Sequence, residues 1–353
     1  MNKVVFWELR KSIFNKRGIV IIFVLILLKI LYSVFVNYGY PDGVDVDIYK
    51  EYMEEIEGKY TSQKAEYIRS EIERNKELSQ SESKYRQQYI DGIITSDEFR
   101  TILKEIERTD KVLTTLYYIE AKCQYFENDY GDGCFFYDLD MQRYMDGIGI
   151  DFFLFAFILY IITTIFIMDS NIGVDILVTS SVYGRERLQR IRVIMSLIVS
   201  ILFTLILEIA EISVKCITND MDCFGYPIKS IMNLSGFSLD ISIKTAIIYI
   251  FATRILFTVV VVLFAICIAK FVKSNIGVYL ITLGVILIPY MLRDTLFNNC
   301  HFLVLGEGFS GLQLYSTNYS LIGINGYIIS IIGAIGTIIL AVVVIEKKKS
   351  IIR

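Results

Sequence analysis

Long apolar runs alternate with polar segments along the chain. Six runs read as membrane spans: Gly18–Val36, Phe152–Met168, Val193–Ile212, Thr245–Ile268, Ile276–Leu292 and Ile322–Ile345. Each holds at least 17 residues, enough as a helix to cross a hydrocarbon core about 30 Å thick when it lies close to the membrane normal. Between the first two runs lies a different pattern. Ile48, Tyr52, Ile56, Tyr60, Ile68 and Ile72 recur at intervals of about four or multiples of it, which predicts an amphipathic helix over Asp45–Leu78. Ser79–Ser83 reads as a turn, a short helical piece carries Tyr85 and Tyr89, and Asp91-Gly92 reads as a break. Thr95-Ser-Asp-Glu98 has the spacing of a capping box, in which the two side chains satisfy each other's backbone N–H. The helix it opens shows Phe99, Ile102, Leu103, Ile106, Leu113, Leu116 and Tyr117. The expectation is a helical hairpin or short coiled coil, followed by a looser segment at 126–147.

Composition sharpens this division. The chain is 54% hydrophobic with mean hydropathy +0.52, which excludes an ordinary soluble enzyme, and the recurrence of apolar runs excludes a lone tail anchor. The net charge of −3 conceals an asymmetry. Residues 37–150 carry 14 Lys/Arg against 25 Asp/Glu, a net of −11, and the remainder carries +8. An insert this acidic repels phosphate, so nucleic acid is excluded as a partner. The first apolar run is long and no small-residue cleavage site follows it, so it reads as an uncleaved signal anchor.

Basic residues fall in alternate loops. Lys3, Arg10, Lys11, Lys16 and Arg17 precede the first run; Arg185, Arg187, Arg190 and Arg192 precede the third; Lys270 and Lys273 precede the fifth; Lys347, Lys348, Lys349 and Arg353 follow the sixth. With six alternating spans, these segments share one side. The excess of Lys/Arg makes that side cytoplasmic, with both termini inside and 37–150 outside, in a bacterial-type plasma membrane. The division is then 1–17 as a basic interfacial helix, 18–36 as the first span, 37–150 as the acidic helical outer domain, 151–345 as spans two to six, and 346–353 as a basic tail.

Lys29, Glu208, Glu211, Lys244 and Arg254 sit in or beside apolar runs, all toward the outer leaflet in this topology. Charge at that depth is costly and faces protein or water. Two readings stand: interhelical ion pairing, or the polar lining of an outward-opening cavity or proton path. Among the cysteines, the pairs Cys123–Cys134 and Cys216–Cys223 would close short loops in an oxidising compartment, with free thiols as the alternative. Fourteen of the 24 tyrosines fall in 37–150, where they serve packing and interface anchoring or offer an aromatic surface to a peptide or lipid.

No catalytic constellation emerges. The one histidine, His301, excludes multi-histidine metal centres. Gly306-Glu-Gly-Phe-Ser-Gly311 is followed by Leu312-Gln313 rather than the Lys-Ser/Thr of a phosphate loop. The segment from Asn128 resembles a calcium loop only superficially, because Tyr130 and Leu139 stand where oxygen ligands are needed. The chain is therefore expected to be no enzyme by itself, to hold no cofactor or metal, and to draw its energy from a partner, a gradient or its substrate.

Two segments bear on that partner. Trp7–Gly18, with the basic residues Arg10, Lys11, Lys16 and Arg17, suits an amphipathic helix on the inner surface. The loop Asp169–Arg192 begins with an acidic residue and carries Asp175, Thr179-Ser-Ser-Val-Tyr183-Gly184-Arg185, then Arg187 and Arg190. Together these resemble the membrane subunits of type 2 ABC exporters, the ABC-2-type permease family. The resemblance implies an all-α polytopic fold with six transmembrane helices. It also implies separate ABC ATPase subunits that bind ATP and Mg, a second permease copy or paralogue, and a coupling role for Asp169, Asp175, Tyr183, Gly184, Arg185, Arg187 and Arg190. The outer insert departs from the minimal plan of that family. Competing readings are a membrane-anchored envelope sensor or scaffold, and an ion-coupled carrier that would depend on Glu208 or Glu211.

Overall fold

The computed structural model describes residues 2–36, 39–167, 184–272, 274–292, 320–321 and 324–347, with single positions at 295 and 308. It is nearly all-α. In chain order the helices are α1 (Asn2–Ser12), α2 (Lys16–Phe35), α3 (Val46–Glu55), α4 (Ser62–Gln80), α5 (Glu82–Ile90), α6 (Ser96–Asn128), α7 (Leu139–Asp146), α8 (Phe152–Phe166), α9 (Gly184–Thr218), α10 (Ile243–Phe271), α11 (Asn275–Met291) and α12 (Gly326–Lys347). Two small antiparallel pairs accompany them: β1 (Gly58–Lys59) with β2 (Cys134–Phe135), and β3 (Ser320–Leu321) with β4 (Ile324–Asn325). The chain divides into two compact units. One is Met1–Asn37, Gly147–Asn219 and Ala246–Arg353; the other is Tyr38–Asp146 with Asp220–Thr245.

Among the described residues, three helices are long and apolar enough to cross a membrane: Lys16–Phe35, Arg187–Thr218 within α9, and Ile243–Phe271. The other three expected spans hold shorter apolar helices, at Phe152–Phe166, Asn275–Met291 and Ile328–Val344. The junction of α1 and α2 is tight. Asn15 caps α2 by accepting from the Gly18 N–H at 2.6 Å. A Cβ on Gly18 would come within 2.3 Å of the Ile13 carbonyl oxygen, so the turn has room only for glycine. The α2 surface is mostly apolar and exposed, with Phe23, Leu27, Leu31 and Phe35 outward. Its buried residues are Gly18, Lys29 and Ser33.

The second unit has its own core, built from Tyr49, Met53, Ile56, Ile68, Ile72, Leu116, Ile119, Phe126, Phe135 and their neighbours. Ile56, Ile68, Ile72 and Leu116 belong to the apolar pattern read from the sequence, whereas on α3 the buried positions are Tyr49 and Met53 rather than Ile48 and Tyr52, which are half-buried. The expected single helix over Asp45–Leu78 is two helices. Gly58 adopts φ +101, a backbone conformation helices do not use, and β1 there pairs with β2. The Thr95–Glu98 capping box is formed, and from it α6 runs 33 residues. The expected looser segment at 126–147 is more ordered than its composition suggests. It contains the last turn of α6, then β2, then α7.

At the centre of this unit Lys122 is fully buried, with its Nζ 2.7 Å from Asp138 Oδ2. Tyr49 donates its hydroxyl to Asp138 Oδ1 at 2.6 Å. Burial and the adjacent Asp138 carboxylate push the Tyr49 hydroxyl well above its ordinary range, so it stays a donor. Residues 220–245 belong to the same body. The Cys134 N–H donates to Ser230 Oγ at 3.0 Å, the Asp220 N–H to Asp140 Oδ2 at 2.9 Å, and Phe136 stacks on Tyr226 with centroids 4.4 Å apart. The polar domain expected at 37–150 thus also takes in the connection that precedes α10.

Candidate functional site

The first unit has its polar groups inside. Along α9, Arg192, Ser196, Ser200, Thr204 and Glu208 recur every fourth residue and all are buried. Ile194, Ile198, Leu202, Ile206 and Ile209 lie on the opposite face and are exposed. A helix facing water shows the reverse arrangement. The hydroxyls of the stripe bond mostly to their own helix: Ser196 Oγ donates to the Arg192 carbonyl at 2.9 Å, and Thr204 Oγ1 to the Ser200 carbonyl at 2.8 Å. Thr204 also meets the Thr258 hydroxyl of α10 at 3.2 Å.

The stripe ends in a cluster of five charges. Lys29 of α2 lies 2.9 Å from Asp151 Oδ2 and 2.8 Å from Glu211 Oε2. Arg254 of α10 pairs through one terminal nitrogen with Glu208 Oε1, and through the other donates to the Gly149 carbonyl at 3.0 Å. Asp151 has two tasks. Its Oδ1 accepts the N–H groups of Phe153 and Leu154 as the N-cap of α8, while its Oδ2 holds Lys29. Lys29, Asp151, Glu208 and Arg254 are each no more than 6% exposed. Ion pairs this dry stand only when both partners are present; removing one leaves an uncompensated buried charge and costs about 3–5 kcal/mol. Four parts of the chain, α2, the head of α8, α9 and α10, are therefore pinned together by charge.

The structure brings together Lys29, Glu208, Glu211 and Arg254, with Asp151 beside them. Lys244 is exposed and takes no part. Asp151 escaped notice in the sequence, although an acidic residue directly before an apolar run is an N-cap signal. Of the expected coupling residues, Asp169, Asp175 and Tyr183 lie outside the described residues. Gly184 and Arg185 fall in the first turn of α9, and Arg187 and Arg190 are exposed on its next turns. Arg192, two residues further, is buried and bonds Glu8 of α1 at 3.0 Å. Tyr160 of α8 donates to the Ser12 carbonyl at 3.2 Å, so α1 is fastened to both α8 and α9.

The five described cysteines carry no disulfide, which is the free-thiol alternative of the two readings. Cys123 faces the core of the second unit, and Cys134 Sγ donates to the Asp132 carbonyl at 3.9 Å. Burial pushes the Cys123 thiol up to about 11 and the Cys223 thiol up to about 12, which leaves both protonated and unreactive at neutral pH. Cys300, like His301 and Gly306–Gly311, lies outside the described residues. Among the described residues no group of His, Cys, Asp and Glu has the arrangement of a metal centre. Comparison with protein-family models, with curated proteins and with solved structures gives no match.

Proposed function

We propose that the chain is a multi-pass permease subunit of an ATP-driven exporter, working with separate ATPase subunits that bind ATP and Mg and with a second permease copy or paralogue. One observation carries the reading. Helix α9 runs without a break from the exposed Arg187 and Arg190 to the buried Glu208 and the half-buried Glu211. Glu208 stands 21 positions after Arg187, about 32 Å along a helix axis. A displacement imposed on the basic end is delivered to the charge cluster that gathers α2, α8 and α10.

The resemblance of Asp169–Arg192 to the coupling segment of type 2 ABC exporters names the agent of that displacement. In this reading the basic ends face the cytoplasm, the ATPase seats against 169–192, and the second compact unit faces outward. Its acidic surface suits a cationic peptide or another envelope-active compound as cargo. The chain itself supplies the pathway and no hydrolytic chemistry.

The test is co-purification from the native host in mild detergent, followed by an ATPase assay, for the native chain and for Arg187→Glu/Arg190→Glu. The expected result is a stoichiometric ATPase partner that is lost on charge reversal while the chain keeps its thermal stability. A chain that purifies alone and is associated with no nucleotide hydrolysis overturns the reading.

A further inference from the structure

The second unit carries its charge unevenly. Residues 82–108 hold 5 Lys/Arg and 6 Asp/Glu, a net of −1, whereas the rest of 37–150 holds 9 Lys/Arg and 19 Asp/Glu, a net of −10. The near-neutral stretch comprises α5, the turn after it and the first turns of α6. Helix α5 packs against α6, with Tyr89 stacked on Phe99 at a centroid distance of 4.6 Å. The core cluster begins on α6 at Leu113, 17 positions after Ser96, about 26 Å along a helix axis. The turn is the apex of this hairpin. Gly92 adopts φ +72, and a Cβ built on it meets nothing within 4 Å. On either side of it Ile90 is 69% exposed and Ile93 68%, with Tyr89 at 41%. No other large apolar residue described in the second unit is more than half exposed. Adjacent apolar side chains in open space on a polar surface mark an interaction site.

The exposed charges beside the apex differ in sign on its two arms. Helix α5 exposes Lys84 and Arg86 before it, and α6 exposes Asp97 and Glu98 after it. Asp91, at the turn, accepts from Gln87 Nε2 at 2.8 Å. A surface with an apolar centre and one arm of each sign complements itself across a two-fold axis, where each arm meets the other arm of its partner. We propose that the apex at Tyr89–Ile93 docks on the same apex of a second copy of this chain, with Lys84 of each copy facing Asp97 of the other. Like charge opposes the approach of two copies elsewhere on 37–150, so the near-neutral apex is where they meet. Two such apices bury less than the ~1,200 Å² of a stable interface. The contact therefore serves copies already held in one membrane, not copies free in solution. It rests on charge and exposure alone and is independent of the ATPase in the exporter reading.

The experiment uses the full chain in membranes of its native host. Ile93→Cys is oxidised with copper phenanthroline, and the native chain, with its own cysteines, sets the background. The expected result is a disulfide-linked dimer of Ile93→Cys severalfold above that background, with Glu66→Cys, on the exposed side of α4, staying at background. Adding Ile90→Asp to Ile93→Cys should abolish the dimer. Adding Lys84→Glu should reduce it severalfold, and adding Asp97→Lys to that chain should restore it, because both charge contacts are then reversed. Every substituted position is exposed, so thermal melting should stay with that of the native chain. No linked dimer for Ile93→Cys, an equal one for Glu66→Cys, a link to a different protein, or no recovery with Asp97→Lys overturns the proposal. Copies that associate without the Ile93→Cys link overturn it too, and leave the exporter reading standing.

Discussion

Helices α6 and α9 are nearly equal in length, 33 and 35 residues, and opposite in design. The buried face of α6 is mainly apolar, with Ile106, Leu113, Leu116, Ile119 and Phe126, and it carries a single charge, Lys122. The buried face of α9 carries Arg192, Ser196, Ser200, Thr204 and Glu208, and its exposed face is isoleucine and leucine. Water outside drives apolar groups in. Where the surroundings are as apolar as leucine, that drive disappears, and hydrogen bonds and ion pairs hold helices together instead. The buried charges differ in the same way. Lys122 and Asp138 form a closed pair, completed by Tyr49, that needs nothing further. The five groups around Glu208 instead join four separate segments, α2, the head of α8, α9 and α10.

The largest test of the contrast lies at Lys122. Lys122→Ala strands Asp138 in the core and is expected to cost the second unit about 3–5 kcal/mol, read as accelerated hydrogen exchange in α6. Restoring neutrality with Lys122→Met/Asp138→Leu should recover most of the loss. If the single substitution costs under 1 kcal/mol, the pair is not as dry as its burial states.

Next come the outward faces. Ile198→Lys on α9 is expected to cost about 2.5–3.5 kcal/mol of membrane insertion, read as loss from the membrane fraction. Glu107→Lys on the exposed side of α6 should stay within about 0.5 kcal/mol of the native chain. Equal tolerance at both positions would mean that α9 faces water.

A smaller effect is expected at the head of α6, where Thr95→Ala removes the capping box at a cost of about 1 kcal/mol. The Thr95 N–H and hydroxyl donate to the Glu98 carboxylate at 2.8 and 2.9 Å and hold its pKa below the ordinary 4.5. The folded value is depressed, so this stabilisation is present above pH 4.5 and lost as the pH falls through the lowered value. Thr95→Ala should lessen that acid dependence in the melting of the second unit without abolishing it, because the backbone N–H of residue 95 still donates to the carboxylate. The smallest expected effect is that of Thr204→Val, which breaks the hydroxyl contact with Thr258 and should cost about 0.6 kcal/mol; a double-mutant cycle with Thr258→Val isolates the shared part.

Much of this was legible in the chain. The apolar pattern marked part of the core of the second unit, Ile56, Ile68, Ile72, Leu113 and Leu116, but was one position off on α3, where Tyr49 and Met53 are buried; Thr95-Ser-Asp-Glu98 marked the start of α6. Lys29, Glu208, Glu211 and Arg254 stood out because charge in an apolar run is conspicuous. Other features were hidden for identifiable reasons. Asp151 was passed over at the border between the outer domain and the second apolar run, because its two tasks involve partners close by in sequence and partners far away. The stripe at 196, 200 and 204 was masked because serine and threonine scarcely interrupt a hydrophobic run. The membership of 220–245 in the second unit depends on contacts such as Cys134 with Ser230, between residues 96 positions apart, which no local pattern announces. Gly58 was read as one position of a continuous helix because the apolar spacing runs through it.

The pairing of Lys29 also bears on how the chain is made. During synthesis α2 emerges early, and Lys29 precedes Asp151 by 122 residues and Glu211 by 182. At about 5–20 residues per second, the ribosome takes roughly 6–24 s to supply the first counter-charge and roughly 9–36 s to supply the second. For that interval the lysine has neither partner, and α2 is an incomplete span awaiting the head of α8. Arg254, by contrast, leaves the ribosome after Glu208 and Glu211 are already made. The order of the carboxylates along the chain thus makes α2 the helix that waits and α10 the helix that closes the set.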